Sequence, residues 1–262
     1  MASERFRIDR PEVGVATITI DRSEKINSFD LAMVREMTEA VAEVETDAES
    51  HVVIVRSALP KVWVAGADIT VLRTLTVDEG EPFVYAGHAM LRGIERSRKV
   101  YIAAVGGAAL GGGTEMALAC DLRVASTAAS FGQPEVLLGV IPGWGGTQRL
   151  PRLIGESRGK DLLLTGRRIK AEEAHAMGLV NRLCDPEALD EVALGLAREV
   201  LANSPAAVER SKRAVREGMQ TALEQALVIE AEIFVANLAS PDRTEGLNAF
   251  VEKRKPEWGK RE

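Results

Sequence analysis

Short runs rich in Val and Ile alternate with stretches whose apolar residues recur at helical spacing, and this alternation limits the fold more than any other feature. VATITI (15–20), HVVIVRS (51–57), VYIAAV (100–105) and DLRVAS (121–126) read as strands. Between them, LAMVREMTEAVAEVE (31–45) and FVYAGHAMLRGIERS (83–97) carry the period of an amphipathic helix. Strand–helix alternation over the first two-thirds predicts an α/β core. After about residue 186 only helical patterns remain. Ser204-Pro205 and Ser240-Pro241 each read as an N-cap serine with proline in the first turn. Between them Leu223, Leu227, Phe234 and Leu238 form one apolar stripe, broadened by Ile229 and Ile233. That stripe serves either its own core or a contact between subunits. The expected organisation is a core over 1–200 and a helical region over 201–262.

A chain of 262 residues suits one large domain with an appendage and a substantial core. Its net charge of −6 argues against a general nucleic-acid binder, which needs a basic face, but leaves an anionic small ligand open. Cys120 and Cys184 have no metal or redox spacing, which predicts free thiols in a reducing compartment. MASERFRIDR lacks an apolar signal region, and no apolar run reaches membrane-spanning length. A cytoplasmic protein without membrane or nucleic-acid partners is the expectation.

Three glycines, Gly111 to Gly113, open the helical stretch ALGGGTEMALACD (109–121). A phosphate loop of the Walker type needs Lys and Ser or Thr after its glycines, but Thr114 and Glu115 follow here. The dinucleotide pattern also fails, since Met116 stands where its last glycine belongs. GESRG (155–159) matches the nucleophile-elbow spacing around Ser157, yet RLPRLI before it is a poor strand. The one histidine downstream, His175, leaves too little chain for the acid of a triad. His51, His88 and His175 show no metal-ligand spacing, and no metal site is expected.

Two glutamates carry more information. Glu115 is followed by Met116, Ala117, Leu118 and Ala119, and Glu135 stands between Pro134 and an apolar run. An acid among apolar residues is either buried with a partner or poised for chemistry. Glu115 could equally be a first-turn acid on the helix dipole, and Glu135 an exposed loop acid. A helix N-terminus favours Glu115 as the anion, suited to activating water. An apolar setting raises the Glu135 pKa, suited to holding a proton. The glycines let Gly112 bring its N–H close to a ligand oxygen, and the turn in WVAGADI (63–69) offers a second amide at Ala67.

AGADI (65–69), AAVGGAALGGGTEMALACD (103–121), FGQPEVLLGVIPGWGGTQRLPRLIG (131–155), LTGRRIKAEEAHAMGLVNRL (164–183) and FVEKRKPEW (250–258) together resemble the crotonase superfamily of enoyl-CoA hydratases and isomerases. The resemblance covers nearly the whole chain, in the family's order. It implies a spiral of ββα turns with C-terminal helices that build homotrimers, often paired into homohexamers. It implies an acyl-CoA substrate, its thioester oxygen between the N–H groups of Ala67 and Gly112, and no cofactor beyond the coenzyme A of the substrate. Glu115 and Glu135 match the two acids of the hydratases: Glu115 to activate the water attacking C3, Glu135 to exchange the proton at C2. Gly143 matches a backbone position that holds this water. Lys25, Ala65, Asp68, Ile69, Phe250 and Lys253 match positions around CoA, the last two reaching a neighbouring subunit.

Within the family, isomerases commonly keep only the acid matching Glu135, so the pair favours hydration of a trans-2-enoyl-CoA. Another crotonase-fold activity, such as an isomerase or a methylglutaconyl-CoA-type hydratase, is the alternative, and a non-catalytic acyl-CoA binder is another. Two positions depart from the pattern. Thr70 replaces a frequent lysine after AGADI, which leaves open whether the CoA contact of that position is kept. Trp144 replaces a small residue, and its ring either reshapes the acyl pocket or packs in the core.

Overall fold

Residues 5–259 are described by the computed structural model. All four Val/Ile runs form strands, and they lie side by side. The larger sheet orders its strands as Phe6–Glu12, Val15–Ile20, Val52–Ser57, Val100–Val105, Leu122–Ser126 and Arg182–Cys184. Its first pair is antiparallel and every later pair is parallel. Parallel neighbours need crossovers. Each crossover here lays a strand into a second layer before a helix returns the chain. Ala108–Leu110 thus lies between Val62–Val64 and Ser130–Gly132, while Ser28–Phe29 pairs with Gly66–Ala67. The repeating strand–strand–helix turn is the expected α/β spiral.

The helices are α1 (Leu31–Thr46), α2 (Ile69–Leu72), α3 (Val77–Arg96), α4 (Gly112–Ala119), α5 (Gly146–Ile154), α6 (Glu156–Thr165), α7 (Ala171–Ala176), α8 (Leu189–Leu201), α9 (Pro205–Gly218), α10 (Leu223–Asn237) and α11 (Pro241–Glu252). Val15–Ile20 and Val100–Val105 are buried along their whole length. On one face, Ala193, Leu196 and Ala197 of α8 meet Val52, Ile54 and Ile102. On the other, Met33, Met37, Met90, Leu91 and Met116 of α1, α3 and α4 fill the main core. Continuous apolar strands are what a parallel sheet covered on both faces requires.

Two local expectations change. Helix α3 starts at Val77 rather than Phe83, because Thr76 and Glu79 form a reciprocal capping box that carries the helix through Gly80 and Pro82. Ser204 accepts the Ala207 N–H as expected, whereas Ser240 makes no side-chain cap bond.

The helical region is anchored to the body by Lys212, whose Nζ donates to Asp121 Oδ2 at 2.8 Å and Lys99 O at 2.7 Å. Its apolar stripe is not covered by its own chain. Leu223, Leu227 and Phe234 are 73%, 53% and 64% exposed, and Ile233 alone of the stripe turns fully inward.

Candidate active site

Gly111 adopts φ +54° and ψ −121°, a conformation open to glycine, and its N–H donates to Gly132 O at 2.9 Å. Thr114 Oγ1 donates to Ala109 O at 2.7 Å and accepts the Gly132 N–H at 3.2 Å. These bonds seat α4 on the end of Ser130–Gly132, the strand that runs directly into Gln133, Pro134 and Glu135. A Cβ on Gly111 would stand 2.8 Å from Glu135 Oε1, so that carboxylate lies directly over the glycine.

The two amide turns also meet. A Cβ on Gly66 would stand 3.2 Å from Gly112 N, and one on Gly113 would stand 2.1 Å from Val64 O. Gly112 is the first residue of α4, so its N–H has no partner within the helix. Ala67 lies opposite Phe29 in a parallel ladder, while the Asp68 N–H donates to Phe29 O at 2.9 Å. In such a ladder bonding alternates, so the Ala67 N–H faces away from Phe29. Asn27 sets this strand pair: its Nδ2 donates to Trp63 O at 3.0 Å and Ser57 Oγ at 2.9 Å, and its Oδ1 accepts the Arg22 N–H at 2.7 Å.

Glu115 is 2% exposed. Its Oε1 accepts the N–H groups of Trp144 at 2.8 Å and Gly146 at 2.7 Å. The expectation of an easily formed anion needs correction. Burial pushes the Glu115 pKa up, and the N–H groups of Gly146 and Trp144 and the charge of Arg149 pull it back. The two N–H groups that hold its carboxylate come from a turn 29 and 31 residues further along the chain.

Glu135 lies in the short 3₁₀ turn Pro134–Leu138 and is half-buried, so it is not an exposed loop acid. Burial pushes it up to about 7, and the nearby Glu115 charge acts in the same direction. The buried Gln133 amide, oriented by its hydrogen-bond partners, donates to Glu135 Oε1 at 2.9 Å and Oε2 at 3.1 Å. The direction expected for Glu135 from its apolar flanks is the one found.

Trp144 is buried, its ring tilted against Phe83 at 5.3 Å between centroids and edge-on to Phe29 at 6.2 Å. A Cβ on Gly112 would stand 2.8 Å from its Cε3, and one on Gly87 of α3 would stand 2.1 Å from its Nε1. The ring therefore packs in the core and against the backbone of an amide donor. Gly143 precedes it in the same turn.

At the edge of this centre, Asp68 is buried and serves as the N-cap of α2, accepting from the Thr70 N–H at 2.9 Å and Thr70 Oγ1 at 2.6 Å. Those Thr70 bonds and Lys25, with Nζ at 3.4 Å, hold the Asp68 pKa down. Ala65 and Ile69 flank the amide turn, Ile69 with an exposed side chain. Phe250 and Lys253 lie elsewhere, at the end of α11, which packs on α9; Phe250 is 83% exposed. The structure thus gathers Lys25, Ala65, Ala67, Asp68, Ile69, Gly112, Glu115, Glu135 and Gly143 around one centre and leaves Phe250 and Lys253 apart.

Asn27, Gln133 and Arg149 complete the centre without having stood out in the sequence. Each is a polar residue fixed by partners distant in the chain, which no local period reports.

The enoyl-CoA hydratase/isomerase family model matches residues 10–261. The short-chain-enoyl-CoA hydratase of Clostridium acetobutylicum is 43% identical over 93% of this chain and 93% of its own. The crotonyl-CoA hydratase of Syntrophomonas wolfei is 42% identical over 97% of this chain and 98% of its own. A crystal structure of an enoyl-CoA hydratase from Bacillus anthracis, 38% identical, superposes with a TM-score of 0.94, covering 98% of this chain and 100% of that one.

Proposed function

The chain belongs to the enoyl-CoA hydratase/isomerase family and acts as an enoyl-CoA hydratase, and we propose that Glu115 and Glu135 together add water across the 2,3 double bond of a short trans-2-enoyl-CoA. One observation carries this assignment. Two acids that burial pushes up stand beside the turns of Ala67 and Gly112: Glu115, drawn back toward the anion by two amides and the Arg149 charge, and Glu135, raised to about 7 with the Glu115 charge adding to the shift.

Glu115 takes a proton from water, and the hydroxide oxygen bonds to C3. The π electrons shift toward C2 and onto the thioester oxygen, where the Ala67 and Gly112 N–H groups receive the growing charge. Glu135 delivers its proton to C2 as the enolate collapses. The pair then holds one proton as before, now on Glu115, and solvent exchange restores the starting state. The Gly143 backbone holds the attacking water, and Lys25 with Ala65 and Ile69 receives the CoA moiety. Asp68 acts there by fixing Lys25. The reaction uses no cofactor beyond the coenzyme A carried by the substrate.

A homotrimer, or a pair of trimers, is the assembly proposed. The exposed residues Leu223, Leu227 and Phe234 on α10 support it, as does the groove that Ala214 and Val215 of α9 form with Leu227 and Phe234. Phe250 and Lys253 then meet the CoA bound to a neighbouring copy. Among the described residues no helix is long and apolar enough to cross a membrane, which is compatible with the cytoplasmic location proposed.

Loss of enoyl-thioester absorbance with crotonyl-CoA tests the reading. Wild-type turnover that disappears in both Glu115→Gln and Glu135→Gln is expected. Absence of hydration on short, medium and branched enoyl-CoAs would overturn it, and isomerisation of a 3-enoyl-CoA without hydration would favour the isomerase instead.

A further inference from the structure

Arg149 ties α3 to the turn that holds Glu115. Its Nε and Nη2 donate to Glu95 Oε1 at 2.6 Å and Oε2 at 2.9 Å, a bidentate pair joining α5 to α3. Its Nη1 donates to Trp144 O at 2.5 Å. Gly145, at φ +104°, leaves the notch this requires: a Cβ there would stand 2.2 Å from Nη1. Arg149 therefore fixes the Trp144 carbonyl while the N–H groups of Trp144 and Gly146 hold Glu115 Oε1. A side chain only 16% exposed, paired on both edges, is rigid enough to set that geometry.

We infer that Arg149, oriented by Glu95, is a positioning residue for Glu115: it locks the 143–146 turn so that two amides grip one carboxylate oxygen. The inference rests on the hydratase reading of Glu115. The charged and titratable groups around this unit are Glu95, His88 and Arg92 from α3 and Glu135 across the site, with the Arg216 guanidinium of α9 on Glu95 O at 3.4 Å. The Arg149 charge draws the Glu115 pKa down against burial. Removing it leaves burial opposed only by the two amides of a turn that has lost its anchor.

The test compares Arg149→Met, Arg149→Lys and Glu95→Gln with wild type. Arg149→Met is expected to lower kcat on crotonyl-CoA by about 100-fold, the order of loss that a misplacement near 1 Å produces. KM and the affinity for butyryl-CoA should hardly change, and the acid limb of kcat/KM should move to higher pH. Arg149→Lys keeps the charge but not the fork, so it should restore the limb more than the rate. Glu95→Gln should fall between. Carbon-13 titration of the Glu115 carboxyl reads the same effect without turnover, with the midpoint rising in Arg149→Met. Wild-type kcat and an unmoved Glu115 titration in folded Arg149→Met would overturn the inference. If that variant does not fold, the same two results in Glu95→Gln would do so. A wild type that hydrates nothing would overturn the hydratase reading alone, and the carboxyl titration would still decide the role of Arg149.

Discussion

The Trp144 N–H donates to Glu115 Oε1 at 2.8 Å, while the indole of the same residue lies against Gly112. Its backbone thus serves the proposed water-activating acid, and its side chain borders the proposed oxyanion donor. Substitution at this position separates the two, because the amide survives loss of the ring.

Trp144→Ala should therefore retain hydration while changing what is hydrated. Removing the indole opens space bounded by Phe29, Phe83, Gly87 and Gly112. The ratio of kcat/KM for decenoyl-CoA to that for crotonyl-CoA should rise about tenfold, since several methylenes gain burial at about 0.8 kcal/mol each and part is lost to ordering. Stability should fall by about 3–5 kcal/mol, the usual cost of emptying an aromatic core site. A chain-length panel and a denaturant melt check both, and an unchanged profile would assign the ring to packing alone.

Glu115→Gln tests the acid without moving it. The amide oxygen can still accept from Trp144 and Gly146, so the turn should stay in place. Loss of a general base predicts a fall in kcat of about 100- to 10,000-fold with little change in KM. Removing the nearby charge should also lower the Glu135 pKa from about 7, read by carbon-13 titration of that carboxyl.

Much of this site was legible in the sequence, and the limit of legibility has a physical cause. The Val/Ile strands, the glycine run and the two acids are local signals, and the structure keeps them where the pattern indicates. The Glu115 setting was misjudged because a helix N-terminus is visible in sequence and desolvation is not. Its stabilising amides come from Trp144 and Gly146, and its cation from Arg149, all brought by a later turn of the spiral. Gln133 and Asn27 follow the same logic, since a buried polar residue is specified by partners far along the chain. The stripe on α10 was legible as apolar, but whether a second copy covers it depends on surfaces the helical period does not report.

Charging that stripe should dissociate the proposed assembly. Leu227→Glu with Phe234→Glu places carboxylates on side chains that are 53% and 64% exposed in the single chain, so the protomer itself has little to lose. Light scattering after size exclusion should show monomers with an unchanged far-ultraviolet spectrum. KM for crotonyl-CoA should rise at the same time, because Phe250 and Lys253 are assigned to a neighbour's CoA. A monomeric wild type would refute the assembly directly.

The pH profile gives a constraint independent of any variant. In the proposed mechanism hydration starts from ionised Glu115 and protonated Glu135, and dehydration from the reverse, so both directions use a pair holding one proton. The overall reaction releases no proton, so the ratio of the two kcat/KM values equals a pH-independent equilibrium constant. Hydration of crotonyl-CoA and dehydration of 3-hydroxybutyryl-CoA must then follow one bell-shaped curve. Its basic limb should fall near pH 7, where Glu135 gives up the pair's last proton. Stability carries the same sign: Glu135 binds protons more tightly folded, at about 7 against an ordinary 4.5. Its contribution is full below about 4.5 and is lost as pH rises through 7. A kcat/KM that stays level well above pH 7 would show that ionisation of Glu135 does not end hydration.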